Sequence, residues 1–325
     1  MSIKQLSIII PVYNLEKYIQ YCIDSIGVVD EKKVEIILVD DGSSDHTANI
    51  CDELNEGNKS IRVIHQENSG AAVSRNVGMK AANGKYLMFV DGDDFLQAGA
   101  LQKILPLLSE DIDIFCFNRF TEYYSDVEIV EQRHLKAEKL LNADGNVSKN
   151  TFQLVSPLPM PWLYVIMKDY IVSHGIYMKA GLLDEDEEWT ARLFAWQPRV
   201  KVIQEGYYMY RRNRMDSLTY GRTISNSLAD VEIIRLLQKE IKEEPYSYVG
   251  KQILNNKCRQ MVNKVLDDIP RWDKDCALKA GVAIAPYRKL LKTGIKAERI
   301  HYYCDGLFGR ERTTRAIESL VDIRR

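Results

Sequence analysis

The chain has 325 residues, 46% of them hydrophobic, and a net charge of −2, which allows one or two full cores and gives the main body no charge excess suited to nucleic acid. Residues 270–325 nevertheless carry thirteen Lys/Arg against seven Asp/Glu, a surplus of +6, which leaves −8 for residues 1–269. The six cysteines are scattered, with no CxxC pair and no histidines at ligand spacing, so reduced core thiols are expected and a zinc site is not. No apolar run reaches about 18 residues and no basic leader precedes the first strand, so a cytoplasmic protein is expected.

Residues 6–12 (LSIIIPV) read as a strand covered on both faces. Asn14 is placed to cap a helix whose apolar positions Ile19, Cys22, Ile23 and Ile26 fall at helical spacing. The pattern repeats: a strand at 34–39 closes in Asp40, Asp41, Gly42, Ser43, Ser44 and Asp45, before a helical face of Thr47, Ile50, Cys51 and Leu54. A third strand, 61–66, runs into Asn68, Ser69 and Gly70 and a helix bearing Arg75 and Asn76. The fourth, 86–90, stops at Asp91, Gly92, Asp93 and Asp94.

Three carboxylates within four residues repel one another and resist desolvation, so they suit water or a cation at a strand end. Oxygen ligands in a tight turn fit Mg²⁺ or Mn²⁺ with substrate phosphates completing the shell; a solvated turn capping the next helix is the competing reading. Alternating strands and helices predict an α/β fold with a mostly parallel, doubly wound sheet and helices on both faces. In such sheets ligands bind at the carboxyl ends of the strands, so the four polar clusters are expected to share one cleft. No GxGxxG and no GxxxxGK[ST] occurs, which excludes the dinucleotide and P-loop types.

A helix (Leu101, Ile104, Leu105, Leu108) and a strand at 112–117 come next, then a charged hairpin or helical insert at 121–150. A proline-rich stretch, 156–162, leads to an apolar segment at 163–172. Glu185, Asp186, Glu187 and Glu188 open a helix with Trp189, Leu193 and Trp196, where the macrodipole alone would favour acids. One strand is expected at 200–210, ending in Arg211, Arg212 and the polar run to Ser217; from Ser225 the periodicity is helical.

SIIIPVYN, VDDGSSD, NSGAAVSRN and FVDGDD, in that order, closely resemble the family 2 inverting glycosyltransferases of the GT-A fold, and the later EDEEW and YRRNRMDS extend the resemblance to about residue 220. It implies a GT-A catalytic domain over 1–220, with a donor half at 1–120 and an acceptor half at 121–220, followed by a helical C-terminal region at 221–325. It also implies a nucleotide-diphosphate sugar donor, most often a UDP sugar, a glycan or polyprenyl-linked oligosaccharide acceptor, and Mn²⁺ or Mg²⁺. Carried over by residue, Pro11 and Tyr13 would meet the base, Asp41 would accept from the uracil imide, and Asn68 and Arg75 would line the donor site. Asp91 would hold ribose, Asp93 would bind the metal, and Asp94 would touch the donor sugar or support the site from behind. Asp186 would be the general base and Glu185 would contact donor or acceptor sugar. Arg211 and Ser217 would belong to a loop closing over the pyrophosphate.

The basic tail either packs as helices with a solvated face or rests on anionic lipid at the inner face of the cell membrane. Two rivals stand beside sugar transfer. A sugar-nucleotide pyrophosphorylase would need a GxGTRxxP loop, which PVYN does not supply. A non-catalytic nucleotide-sugar-binding or scaffold protein would carry the donor motifs without turnover.

Overall fold

The computed structural model describes residues 4–124, 131–134, 158–212 and 222–290. Four strand units open the chain: β1 (Lys4–Val12) leads to α1 (Ile19–Ile26), β2 (Val34–Asp40) to α2 (Thr47–Gly57), β3 (Ile61–His65) to α3 (Ala71–Ala81), and β4 (Gly84–Phe89) to the acidic turn 91–94. There follow β5 (Phe95–Leu96), α4 (Ala100–Leu107), β6 (Ile114–Phe117), β7 (Arg119–Tyr124), β8 (Glu131–His134), β9 (Tyr164–Met167), α5 (Lys168–Ser173), α6 (Glu185–Ala195), β10 (Val200–Ile203) and β11 (Tyr208–Arg212). Helices α7 (Ile224–Glu243), α8 (Tyr248–Asp268) and α9 (Lys274–Ile284) follow, and a 3₁₀ segment, Ala285–Leu290, ends the described chain.

The large sheet has seven strands in the order β10-β6-β9-β4-β1-β2-β3. Its pairings are parallel except those of β9, which runs antiparallel to β4 and β6. A smaller sheet has the order β5-β11-β7-β8. Ile8, Ile9 and Ile10 of β1 and every residue of β2 are buried, as a sheet covered on both faces requires. Helix α3 lies so close on β1 that a Cβ at Gly78 would stand 2.3 Å from Ile9 Cγ2. That contact fixes the helix carrying Arg75. Ala191 and Ala195 of α6 share a second apolar cluster with Ile233 and Leu237 of α7, Leu254, Met261 and Val262 of α8, and Ile284 of α9. The C-terminal helices are thereby packed on the helix that the EDEEW motif opens.

Two local expectations are corrected. The single strand at 200–210 is two strands in different sheets; a Cβ at Gly206 would meet Arg119 O at 2.4 Å, and the chain changes sheets where only glycine fits that close pass. Asn14 does not cap α1: its φ is 53°, and its side-chain oxygen accepts from Ser44 N–H at 2.8 Å instead. Of the 121–150 insert, the described part is the antiparallel β7–β8 pair. Among the described residues no helix is long and apolar enough to cross a membrane. Ser217 and residues 291–325, most of the basic tail, lie outside the described residues.

Candidate active site

Asp41 follows β2 at its carboxyl end and is 4% exposed. One carboxylate oxygen accepts from Gln66 Nε2 (2.6 Å) and Ser69 N–H (2.9 Å), the other from Gly70 N–H (2.8 Å). The same acid therefore shapes the 68–70 loop and the start of α3. Asp40 is a staple beside it, accepting from Ser43 N–H at 3.1 Å and meeting His65 Nδ1 at 2.8 Å, while His65 Nε2 reaches Asp52 at 3.1 Å. The hydrogen bond to Asp40, more than the second one to Asp52, raises the His65 pKa. Asp45 accepts from Thr47 N–H at 3.0 Å where α2 begins. Pro11, one residue before the end of β1, is half-buried, Asn68 is exposed, and Tyr13 is 48% exposed, open to a planar partner.

Four residues into α3, Arg75 joins clusters from opposite halves of the chain. Its Nη2 donates to Asp91 at 2.7 Å and its Nη1 to Glu185 at 3.0 Å. Burial would discharge the guanidinium, but Asp91 and Glu185 more than offset it and raise its pKa. The Nε of Arg75 is buried without a partner among the described residues.

The turn 91–94 is crowded by design of its own sequence: a Cβ at Gly92 would meet Leu15 Cδ1 at 2.8 Å, Val12 Cγ1 at 2.9 Å and Pro11 O at 3.2 Å. Asp94 is 1% exposed; one of its carboxylate oxygens accepts from Tyr208 O–H and the other from Arg211 N–H, both at 2.7 Å. Burial, with Asp93 and Asp91 nearby, pushes its pKa well above the carboxylate range. Asp94 thus lies under the turn and supports it. Tyr208 had no signal in the sequence beyond an apolar strand, yet its hydroxyl also accepts from Asp91 N–H at 3.1 Å. Trp162 is stacked flat on Tyr208 with ring centroids 4.0 Å apart and is 5% exposed, so it belongs to this support.

Arg211 sits in strand β11, not in the expected loop, because β11 pairs with β5 directly after the turn. Its Nε donates to Asp93 O at 2.8 Å, and its guanidinium lies 5.2–5.9 Å from the rings of Tyr18, Tyr21, Phe95 and Tyr123. That cage orients the cation toward the turn.

Helix α6 begins after Asp184, whose φ is 57°. Glu188 turns inward and is held by Arg192 at 2.7 and 2.9 Å. Glu187 turns toward α8 and accepts from Lys257 at 2.5 Å and Lys264 at 3.2 Å. Asp186 is half-buried; burial first, then the charges of Glu185 and Glu187, push its pKa up to about 8, with Arg75 opposing. An acid poised there is matched to taking a proton near neutrality.

Among the described residues no three His, Cys, Asp or Glu side chains close round one point. Mg²⁺ and Mn²⁺ need no such cage when substrate phosphates complete the shell. Asp91 is engaged by Arg75 and Asp94 is buried, while half-exposed Asp93 carries an oxygen donor of the kind such an ion takes.

The profile of glycosyl transferase family 2 matches residues 7–159. The uncharacterized glycosyltransferase EpsJ of Bacillus subtilis (strain 168) is 33% identical over 215 residues, 64% of this chain and 61% of that one. The matched region thus spans less than two thirds of that relative's length. Residues 1–349 of S. aureus TarS, solved in complex with UDP-GlcNAc, share the fold with a TM-score of 0.71 at 17% identity, over 98% of this chain and 92% of that one. The mannosyltransferase PcManGT from Pyrobaculum calidifontis, in complex with GDP-Man and Mn²⁺, shares it with a TM-score of 0.56 at 13% identity, over 97% and 86%.

Proposed function

We propose, from the match of residues 7–159 to glycosyl transferase family 2, that the chain is a glycosyltransferase of that family and transfers a sugar from a UDP-linked donor to a hydroxyl of a glycan or lipid-linked acceptor, with inversion, in the assembly of capsule, exopolysaccharide or cell-wall glycan. One observation carries the reading: Arg75 ties the 91–94 turn to Glu185, and so brings Asp186 beside the donor turn from nearly a hundred positions away.

In this reading the Tyr13 ring stacks on the base, and Asp41, already holding the 68–70 loop, accepts from the uracil imide. Asp91 accepts from ribose, Asn68 and Arg75 line the donor, and Arg211 offers its remaining N–H groups to the diphosphate, joined by Ser217 from beyond the described residues. A divalent cation on Asp93, Mn²⁺ or Mg²⁺, would act as the Lewis acid that stabilises the departing diphosphate. Glu185 meets the sugar hydroxyls. Asp186 takes the acceptor's proton as the acceptor oxygen bonds to the anomeric carbon and the bond to the phosphate oxygen breaks. The leaving group is acidic enough to need no proton, so one base suffices. A base of this kind contributes about 10²–10⁴ in rate.

The test is a thermal-shift screen of nucleotide sugars with and without Mn²⁺, followed by nucleoside diphosphate release. A UDP sugar is expected to raise the Tm only with Mn²⁺; Asp93→Asn loses that shift, and Asp186→Asn keeps it while losing turnover. Wild-type turnover in Asp186→Asn would overturn the base. Donor binding without any release of nucleoside diphosphate would favour the scaffold.

A further inference from the structure

We propose that Lys257 and Lys264, on the C-terminal helix α8, are positioning residues for the Asp186 carboxylate and act on it through Glu187. This role presupposes Asp186 as the base. The path is continuous. Lys257 Nζ lies 2.5 Å from Glu187 Oε2, and Lys264 Nζ lies 3.2 Å from Glu187 Oε1. The Glu187 backbone N–H donates to Asp186 Oδ1 at 2.9 Å. Two ammonium groups thus hold the side chain of the residue whose amide holds the reacting carboxylate.

The grip is itself anchored. Lys264 also meets the buried Asp230 of α7 at 3.3 Å, and Arg222, just before α7, reaches Asp230 at 2.5 Å and Asp268 at 2.8 Å. Asp184, at the start of α6, faces Arg222 at 3.7 Å and Lys264 at 3.8 Å. Burial would raise the Glu187 pKa, but the two lysines overcome it and keep Glu187 ionised. The groups acting on Asp186 are Glu185, Glu187 and Asp184 from its own helix start, Arg75 from α3 and Tyr164 from β9, with the lysines behind Glu187. Glu187 is a negative charge next to the base, and the lysines both orient it and reduce its field.

Opposite charges within this network make the test directional. The full-length chain, carrying ¹³C at the aspartate carboxyls, is titrated between about pH 5 and 10, and the Asp186 resonance is identified by its loss in Asp186→Asn. Lys257→Met and Lys264→Gln should move the Asp186 midpoint upward, on the order of half a unit or more. Glu187→Gln should move it downward, and Lys257→Arg should leave it near wild type. Lys264, with 29% of its side chain exposed against 4% for Lys257, supplies the variant that decides the matter if Lys257→Met does not fold. Midpoints that stay put, or that move in the same direction for lysine and glutamate variants, overturn the proposal. The titration needs no donor, so it stands apart from the base: a fully active Asp186→Asn sinks the base reading, whereas an inactive one with unmoved midpoints sinks only the positioning role.

Discussion

Arg75 and Glu185 lie 110 positions apart in the chain, and their side chains meet at 3.0 Å. With Asp91 on its other nitrogen, the planar guanidinium touches both acidic clusters.

Arg75→Ala leaves two carboxylates facing each other without their cation, and the loss should be about 3–5 kcal/mol in stability. Arg75→Lys should recover only part of it, since one ammonium cannot span both partners as a fork does. Denaturant unfolding of the three proteins decides this; an alanine variant within about 1 kcal/mol of wild type would show the bridge to be incidental.

Asp186→Asn should move activity and stability in opposite directions. The folded acid titrates near 8 and the unfolded one near 4, so between those values the folded chain binds the extra proton and wild-type stability falls as pH rises. Asparagine has no such dependence. At pH 8 the variant should be the more stable by on the order of 2 kcal/mol, with the difference shrinking toward pH 4, as thermal unfolding across pH would record. Wild-type turnover should rise with pH through the same region and then level, because only the ionised carboxylate accepts a proton.

Tyr208→Phe removes the hydroxyl between Asp94 and the Asp91 amide. A buried acid then loses a partner, at a cost of about 1–3 kcal/mol, and the turn loses the strut beneath it. Donor affinity measured by calorimetry should weaken along with the Tm; unchanged donor affinity would mean that the turn holds its shape without Tyr208.

Gly92→Ala places a methyl group against Leu15, Val12 and the Pro11 carbonyl. The side chains can yield by a few tenths of an ångström; the carbonyl cannot. The Mn²⁺-dependent thermal shift should therefore be lost at a smaller cost in the apo Tm than Arg75→Ala incurs. A variant that keeps the full shift would show that the turn tolerates displacement.

The early chain was legible because burial on both faces of a parallel strand leaves continuous apolar runs, and each run stopped at its polar cluster: Asp41, Asn68 and the 91–94 acids all stand where the pattern placed them. Asp94 was harder, since sequence cannot distinguish an acid at the mouth of a turn from one beneath it. That distinction depends on Tyr208, which arrives from β11, and Trp162, which arrives from a 3₁₀ turn just before β9, and neither carries a signal for it in the sequence. The single strand expected at 200–210 is two because apolar and aromatic residues lie on both sides of Gly206, where the backbone changes sheets. The Glu187 grip was also invisible, for its lysines are ordinary members of a helical periodicity some seventy residues away.

Strand β4 ends in the seven-stranded sheet and β5 begins in the four-stranded one, with only Val90 and the 91–94 turn between them. Asp41 stands just past the end of β2 in the first sheet and Arg211 within β11 of the second, so in the proposed reading the span from nucleobase to diphosphate would cross a seam between two separately built layers. In that reading a rotation of the small sheet would change the reach along the donor, and substitutions on β7, which meets Arg211 through Tyr123, have a mechanical route to the turn.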